Sequence, residues 1–137
     1  MGPVTRISSG STFEDLAGYS RAVVVQHPDH VEVFVSGCTG FDYSTMTIDE
    51  DVAVQVRQCF ANIAGALTQA GGRLTHLVRV RYYLPESGDW GRVAPVVGEI
   101  LADIRPAATC LICGLVDPRM KVEIEADARI PLNGSGA

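Results

Sequence analysis

Between Lys121 and Ile130 the chain alternates without a break: Lys121, Glu123, Glu125, Asp127 and Arg129 on one parity, Val122, Ile124, Ala126, Ala128 and Ile130 on the other. Successive side chains of a strand point to opposite faces, so this stretch is a strand with one apolar and one charged face. The apolar face must be covered, which calls for a sheet with helices packed on one side. The strand closes a segment, Arg105 to Arg129, that reads as two strands around an Asp117-Pro118-Arg119 turn. Its three acids, Glu123, Glu125 and Asp127, need partners, water or a reaction.

Upstream, the pattern predicts a short strand near Val4–Ser8 followed by a loop. A hairpin comes next, with strands Ser20–Gln26 and Val31–Ser36 around His27-Pro28-Asp29-His30. Gly37–Met46 reads as a polar loop. Thr47 and Glu50 have capping-box spacing, which opens a helix whose stripe Val52, Val56, Cys59, Ile63, Ala66 and Leu67 keeps helical period until Gly71-Gly72. Thr75–Leu84 is a strand with Val78, Val80, Tyr82 and Leu84 on one face and Leu77, Arg79, Arg81 and Tyr83 on the other. A second helix spans about Trp90 to Ile104, kinked or delayed by Pro95 and closed by Arg105-Pro106. The order β-β-β-α-β-α-β-β predicts an α+β fold, one mixed sheet with two helices on one face. Residues 1–132 form a single domain in this reading, and 133–137 a flexible tail.

A net charge of −5 argues against a nucleic-acid partner, which would call for a basic stripe. No apolar run reaches the length of a membrane span and Met1–Gly10 lacks a signal-peptide layout, so a cytoplasmic protein is expected. Ten of the eleven cations are Arg, a skew that fits a GC-rich, bacterial genome. The four cysteines read as reduced thiols, because Cys110 and Cys113 would point to opposite faces of a strand and have no second pair. His27 and His30 read as exposed turn histidines, and no metal or cofactor is expected.

The charged face of the last strand meets Arg79 and Arg81 in an ion-pair ladder, each exposed pair worth about 0.2–1 kcal/mol. The apolar strand Ala107–Cys113 shares that sheet, so part of it is expected to be buried against another subunit.

Several segments in order resemble the reactive intermediate deaminase (Rid, YjgF-like, endoribonuclease L-PSP) family over nearly the whole chain. They are Gly18-Tyr19-Ser20, Phe34-Val35-Ser36-Gly37, the helix from Gln55 to Gly71, Pro106-Ala107 and Val122-Glu123-Ile124-Glu125-Ala126. The resemblance implies a chorismate-mutase-like fold and a homotrimer binding a small metabolite in clefts between subunits. It also implies hydrolytic deamination of an enamine or imine. Carried over by position, Glu123 positions the attacking water, and Tyr19, Ser36, Gly37, Ala108 and Cys110 line the substrate site.

One position departs. Where deaminating members carry an arginine that grips the substrate carboxylate, this chain has Ala108. A charge-assisted contact of that kind is worth about 1.5–3 kcal/mol. Arg79, Arg81, Arg105 and Arg119 are the alternative sources of a cation. Cys38 and Ala94 also stand where members often have Gln and Asn. Two readings stay open: a hydrolase with an altered substrate, and a metabolite-binding trimer without turnover. Glu123 carries chemistry in the first and pairs with Arg79 or Arg81 in the bland alternative. Tyr19 either lines the cleft or packs on the first strand, and Ser36-Gly37 either offers backbone groups or simply ends a strand. Cys110 reads as a small buried thiol, and Phe13 and Trp90 as core rather than rim aromatics.

Overall fold

The structure, a computed structural model, describes residues 3–132; the tail expected at 133–137 lies outside the described residues. Six strands form one mixed sheet: β1 (Val4–Ile7), β2 (Ala22–Gln26), β3 (His30–Thr39), β6 (Leu77–Leu84), β7 (Ala107–Ile112) and β8 (Glu123–Pro131). Their order is β1-β2-β3-β8-β6-β7, and β4 (Phe41–Asp42) pairs with β5 (Thr47–Ile48) beside it. Helices α1 (Thr12–Ala17), α2 (Val52–Gln69) and α3 (Trp90–Leu101) complete the fold. This is the α+β arrangement the alternation of elements predicts.

Strand β8 keeps its parity. Val122, Ile124, Ala126, Ala128 and Ile130 are buried in one core with Val56, Cys59, Ile63 and Leu67 of α2 and Val93, Val97 and Leu101 of α3. Each Val, Leu or Ile among them contributes about 1.5–3 kcal/mol when fully buried. Strand β6 follows its predicted faces only from Arg79 onward. A bulge against β8 between Leu77 and Arg79 turns Leu77 into the core and leaves Val78 exposed.

Strands β7 and β8 do not pair with each other. β7 runs parallel to β6 at the sheet edge, and the chain then crosses so that β8 enters antiparallel on the far side of β6. The Asp117-Pro118-Arg119 turn therefore belongs to a crossing, not to a hairpin. β7 is exposed at all six positions.

The cap of α2 is Asp51, not Thr47. The Asp51 carboxylate accepts the Ala53 N–H at 2.8 Å, while Thr47 is taken up in β5 and its hydroxyl meets that of Thr45 at 2.7 Å. A carboxylate at the positive end of the helix dipole is the stronger acceptor. At the other end Gly71 takes φ 87° and Gly72 N–H reaches Leu67 O at 2.7 Å, a Schellman-type stop. α3 accommodates Pro95 and ends at Leu101, three residues before the expected Ile104. Arg105 then closes the turn at φ 56°, its N–H on Leu101 O.

Where the sequence predicts a loop, Ser11 accepts the Phe13 N–H at 3.1 Å and starts α1. That short helix brings Phe13, Leu16 and Ala17 over one end of the sheet and forms the roof of the cavity described next.

Candidate functional site

A cavity of about 600 Å³ opens where α1, the far end of β3 and the start of β8 converge. Phe13, Leu16, Tyr19, Tyr43, Val116 and Met120 make its walls apolar and aromatic, and Ser36, Gly37, Thr39 and Glu123 supply its polar floor. Among these lining residues Glu123 is the one carboxylate.

Glu123 faces outward from the sheet at the first position of β8, opposite Thr39 on β3 and Tyr83 on β6. A register shift in β3 between Val35 and Cys38 brings Gly37 beside it. A Cβ at Gly37 would overlap the Glu123 carboxylate, so glycine is what lets this acid lie against the strand. Burial pushes the Glu123 carboxyl above its ordinary value. The nearby Arg21 guanidinium opposes the rise and the Glu125 charge adds to it.

Arg21, at the head of β2, is the residue the sequence reading missed. Its side chain is 1% exposed, yet it carries a charge directly behind the cavity wall. One terminal nitrogen donates to Gly37 O at 2.8 Å and approaches Ser36 O at 3.4 Å and Cys38 Sγ at 3.5 Å. The guanidinium lies 4.3 Å from the Tyr43 ring centroid and 5.7 Å from that of Tyr19, within cation–π range. Glu14 of α1 balances it, with Oε2 3.5 Å from Nε and 4% of its side chain exposed. That contact is Coulombic, since Nε and the second terminal nitrogen make no hydrogen bond. Burial alone would raise the Glu14 carboxyl, but hydrogen bonds from the Ser9 hydroxyl and N–H, with the Arg21 charge, hold it low.

The structure thus gathers Tyr19, Ser36, Gly37 and Glu123 around one cavity. Ala108 and Cys110 lie apart on edge strand β7, opposite Val80 and Tyr82, with β6 between them and β8. Cys110 is exposed rather than buried. Phe13 lines the cavity and stacks edge-on against Phe41, while Trp90 lies away from it against Tyr82.

The other candidate arginines are engaged elsewhere or lie outside the lining. Arg81 sits 3.5 Å from Glu125 and 3.6 Å from Asp127, the ladder expected of the charged face. Arg79 lies opposite Asp127 on the same face. Arg119 chelates Asp117 at 2.8 and 3.1 Å and lies over the Phe41 ring, and Arg105 is exposed beyond α3. The Tyr83 hydroxyl donates to Glu125, and that bond to a carboxylate helps push the phenol up to about 12. Cys38 and Cys59 are buried thiols, Cys38 raised to about 11 by burial, so neither is a nucleophile at neutral pH.

No helix among the described residues is long and apolar enough to cross a membrane. The fold recurs in known structures. A member of the YjgF/YER057c/UK114 family from Mycobacterium tuberculosis superimposes with a TM-score of 0.81 at 38% identity, covering 93% of this chain and 99% of that one. RidA from the Antarctic bacterium Psychrobacter sp. PAMC 21119 gives 0.76 at 27% identity, covering 95% and 100%. Protein DfrA of Myxococcus xanthus is 30% identical over 123 residues, 89% of this chain and 92% of its own length. The endoribonuclease L-PSP family model matches residues 10–130, from the Gly10 that leads into α1 to the Ile130 near the end of β8. With the cavity and all but β1 of the sheet inside that match, the chain belongs to the endoribonuclease L-PSP family, the YjgF/Rid proteins.

Proposed function

We propose that this protein is a Rid-type hydrolase that releases ammonia from a small, largely apolar enamine or imine, with Glu123 as its catalytic residue. The observation that carries the reading is a half-buried carboxylate, raised by burial, on the floor of an aromatic-walled cavity. A carboxyl group raised toward neutrality suits proton transfer in both directions. In its ionised form Glu123 takes a proton from water as the oxygen adds to the C=N carbon and passes it to nitrogen, giving a carbinolamine; an enamine enters as its imine tautomer. Glu123 then takes the hydroxyl proton and passes it to nitrogen as the C–N bond breaks, leaving a carbonyl product and ammonia. Tyr19 and Tyr43 hold the apolar part of the substrate, and the backbone around Ser36-Gly37 offers polar contacts. With no cation among its lining residues, the cavity suits a neutral or cationic imine better than a dicarboxylate.

We further assign the protein a homotrimeric, cytoplasmic form in which β7 of a neighbouring copy completes the cleft with Ala108 and Cys110. Edge strand β7 supports this: Leu111 is 51% exposed, Ile112 52% and the following Val116 89%. Such a run of apolar side chains on an unpaired edge needs cover. Light scattering is expected to give three times the mass of one chain, and Ile112→Asp to shift it to the monomer with loss of turnover. A wild-type monomer that turns over normally would remove the shared cleft from the proposal.

The test of the reaction is ammonia release from freshly generated 2-iminopropionate and from bulkier apolar enamines, with turnover expected to favour the latter. Ala108→Arg restores the carboxylate grip and is expected to raise kcat/KM on 2-iminopropionate about ten- to hundredfold. The vacancy at Ala108 also favours a second reading, a binding trimer without catalysis. Saturable ligand binding with no ammonia release from any imine would establish that reading instead.

A further inference from the structure

We propose that His27, His30 and Glu32 form a binding site for a divalent transition metal such as Zn2+, at the tip of the β2–β3 hairpin. The register places them together. Gln26 pairs with Val31 and Val25 with Glu32, and the His27 N–H donates to His30 O at 2.9 Å across the turn. His27 therefore lies opposite His30, and Glu32, two residues along β3, points to the same side. The two imidazoles stack with centroids 4.4 Å apart and planes within 9°. His27 Nε2 meets Glu32 Oε1 at 2.5 Å, and one donor atom from each residue lies within 4.8 Å of the others.

Two imidazoles and a carboxylate are a zinc donor set that leaves a fourth position open to water or a ligand. Tetrahedral bonds of 2.0–2.2 Å set donors about 3.4 Å apart, so small side-chain rotations close the trio around an ion. Asp29 supplies an orienting contact: its Oδ1 lies 2.6 Å from His30 Nδ1. That contact lets Nδ1–H donate to the carboxylate and leaves Nε2 as the metal-binding nitrogen. Metal-bound histidines are commonly held in this carboxylate–imidazole arrangement. One neighbour opposes a cation: Arg129, opposite Glu32 on β8, brings a guanidinium nitrogen 3.4 Å from His30 Nδ1. The site is separate from the cavity, since β3 carries about 30 Å of strand between His30 and Thr39.

The test is a calorimetric titration of ZnCl2 into the full-length chain. The chain carries Cys110→Ser and Cys113→Ser, because these exposed thiols would compete for the metal. One saturable site per chain is expected. His27→Gln, His30→Gln and Glu32→Gln should each weaken binding at least tenfold, and Asp29→Asn by about 10- to 100-fold. Arg129→Gln should tighten it, an opposite sign that general surface adsorption would not produce. Circular dichroism confirms that each hairpin-tip variant is folded. The proposal is overturned if no saturable Zn2+ uptake occurs, or if uptake survives the loss of both histidines.

Discussion

Replacing Glu123 with Gln is expected to lower ammonia release about 10²- to 10⁴-fold, the usual contribution of a positioned acid–base group, while leaving the chain folded. The amide keeps the shape of the carboxyl group and its place beside Gly37, so packing around the cavity changes little. What it loses is the ability to accept a proton from water. The stability of the variant gives a second readout. Glu123 is held above its ordinary value of 4.5, chiefly by burial, so the folded chain binds this proton more tightly than the unfolded chain does. Stability linked to the group is therefore full below about pH 4.5 and is lost as pH rises through the folded-state value. Gln carries no proton and loses nothing on that climb. The variant should thus be more stable than the parent at neutral pH. The gap should close as pH falls below the ordinary value. Arg21 does not reverse this sign, because Glu14 remains beside its guanidinium. Denaturant titrations at acid and neutral pH, run beside the ammonia assay, measure both effects. Full turnover by the variant would reduce Glu123 to a structural partner of the neighbouring charges.

Much of this architecture was legible in the sequence because it rests on period. The strict alternation from Lys121 to Ile130 defines a one-sided strand, and the structure buries the apolar parity it marks. The stripe from Val52 to Leu67 likewise defines α2. Period fails where backbone geometry changes without a change in composition. Nothing in Leu77-Val78-Arg79 signals the bulge that exchanges the faces of the first two residues. The pairing of β7 depends on long-range contacts, and two apolar strands joined through Asp117-Pro118-Arg119 look like a hairpin until β6 is known to lie between them. A local signal went unread at α1: Ser11 and Glu14 have capping-box spacing within a stretch whose Gly, Ser and Thr read as a loop. Within the site, Tyr19, Ser36, Gly37 and Glu123 emerged through motif resemblance, whereas Arg21 did not. A charge heading an apolar strand, seven residues after an acid, was the available clue. A buried charge needs a buried partner, and Glu14 is that partner.

Arg21→Ala is accordingly expected to be the most damaging single change near the cavity, costing about 3–5 kcal/mol. The loss does not measure the attraction between Arg21 and Glu14, because both charges were desolvated to form the pair. It measures mainly the stranding of Glu14, 4% exposed, without its cation, together with the loss of the bond to Gly37 O and of the contact with the Tyr43 ring. The double variant Arg21→Met with Glu14→Gln removes both charges and fills part of the space, so it should recover most of the lost stability. Recovery would show that charge balance, not the guanidinium itself, is what the fold requires. Function should follow a different course. Arg21 holds the Glu123 carboxyl down against burial, so neutralising it lets that group rise further. The double variant should then fold well but show the acid limb of its kcat/KM profile displaced to higher pH, where Glu123 is again ionised. A merely structural arginine would leave that limb in place. Urea midpoints for the two variants, with a pH profile for the double variant, separate the roles: the first reports the stranded carboxylate, the second the field that Arg21 sets at Glu123.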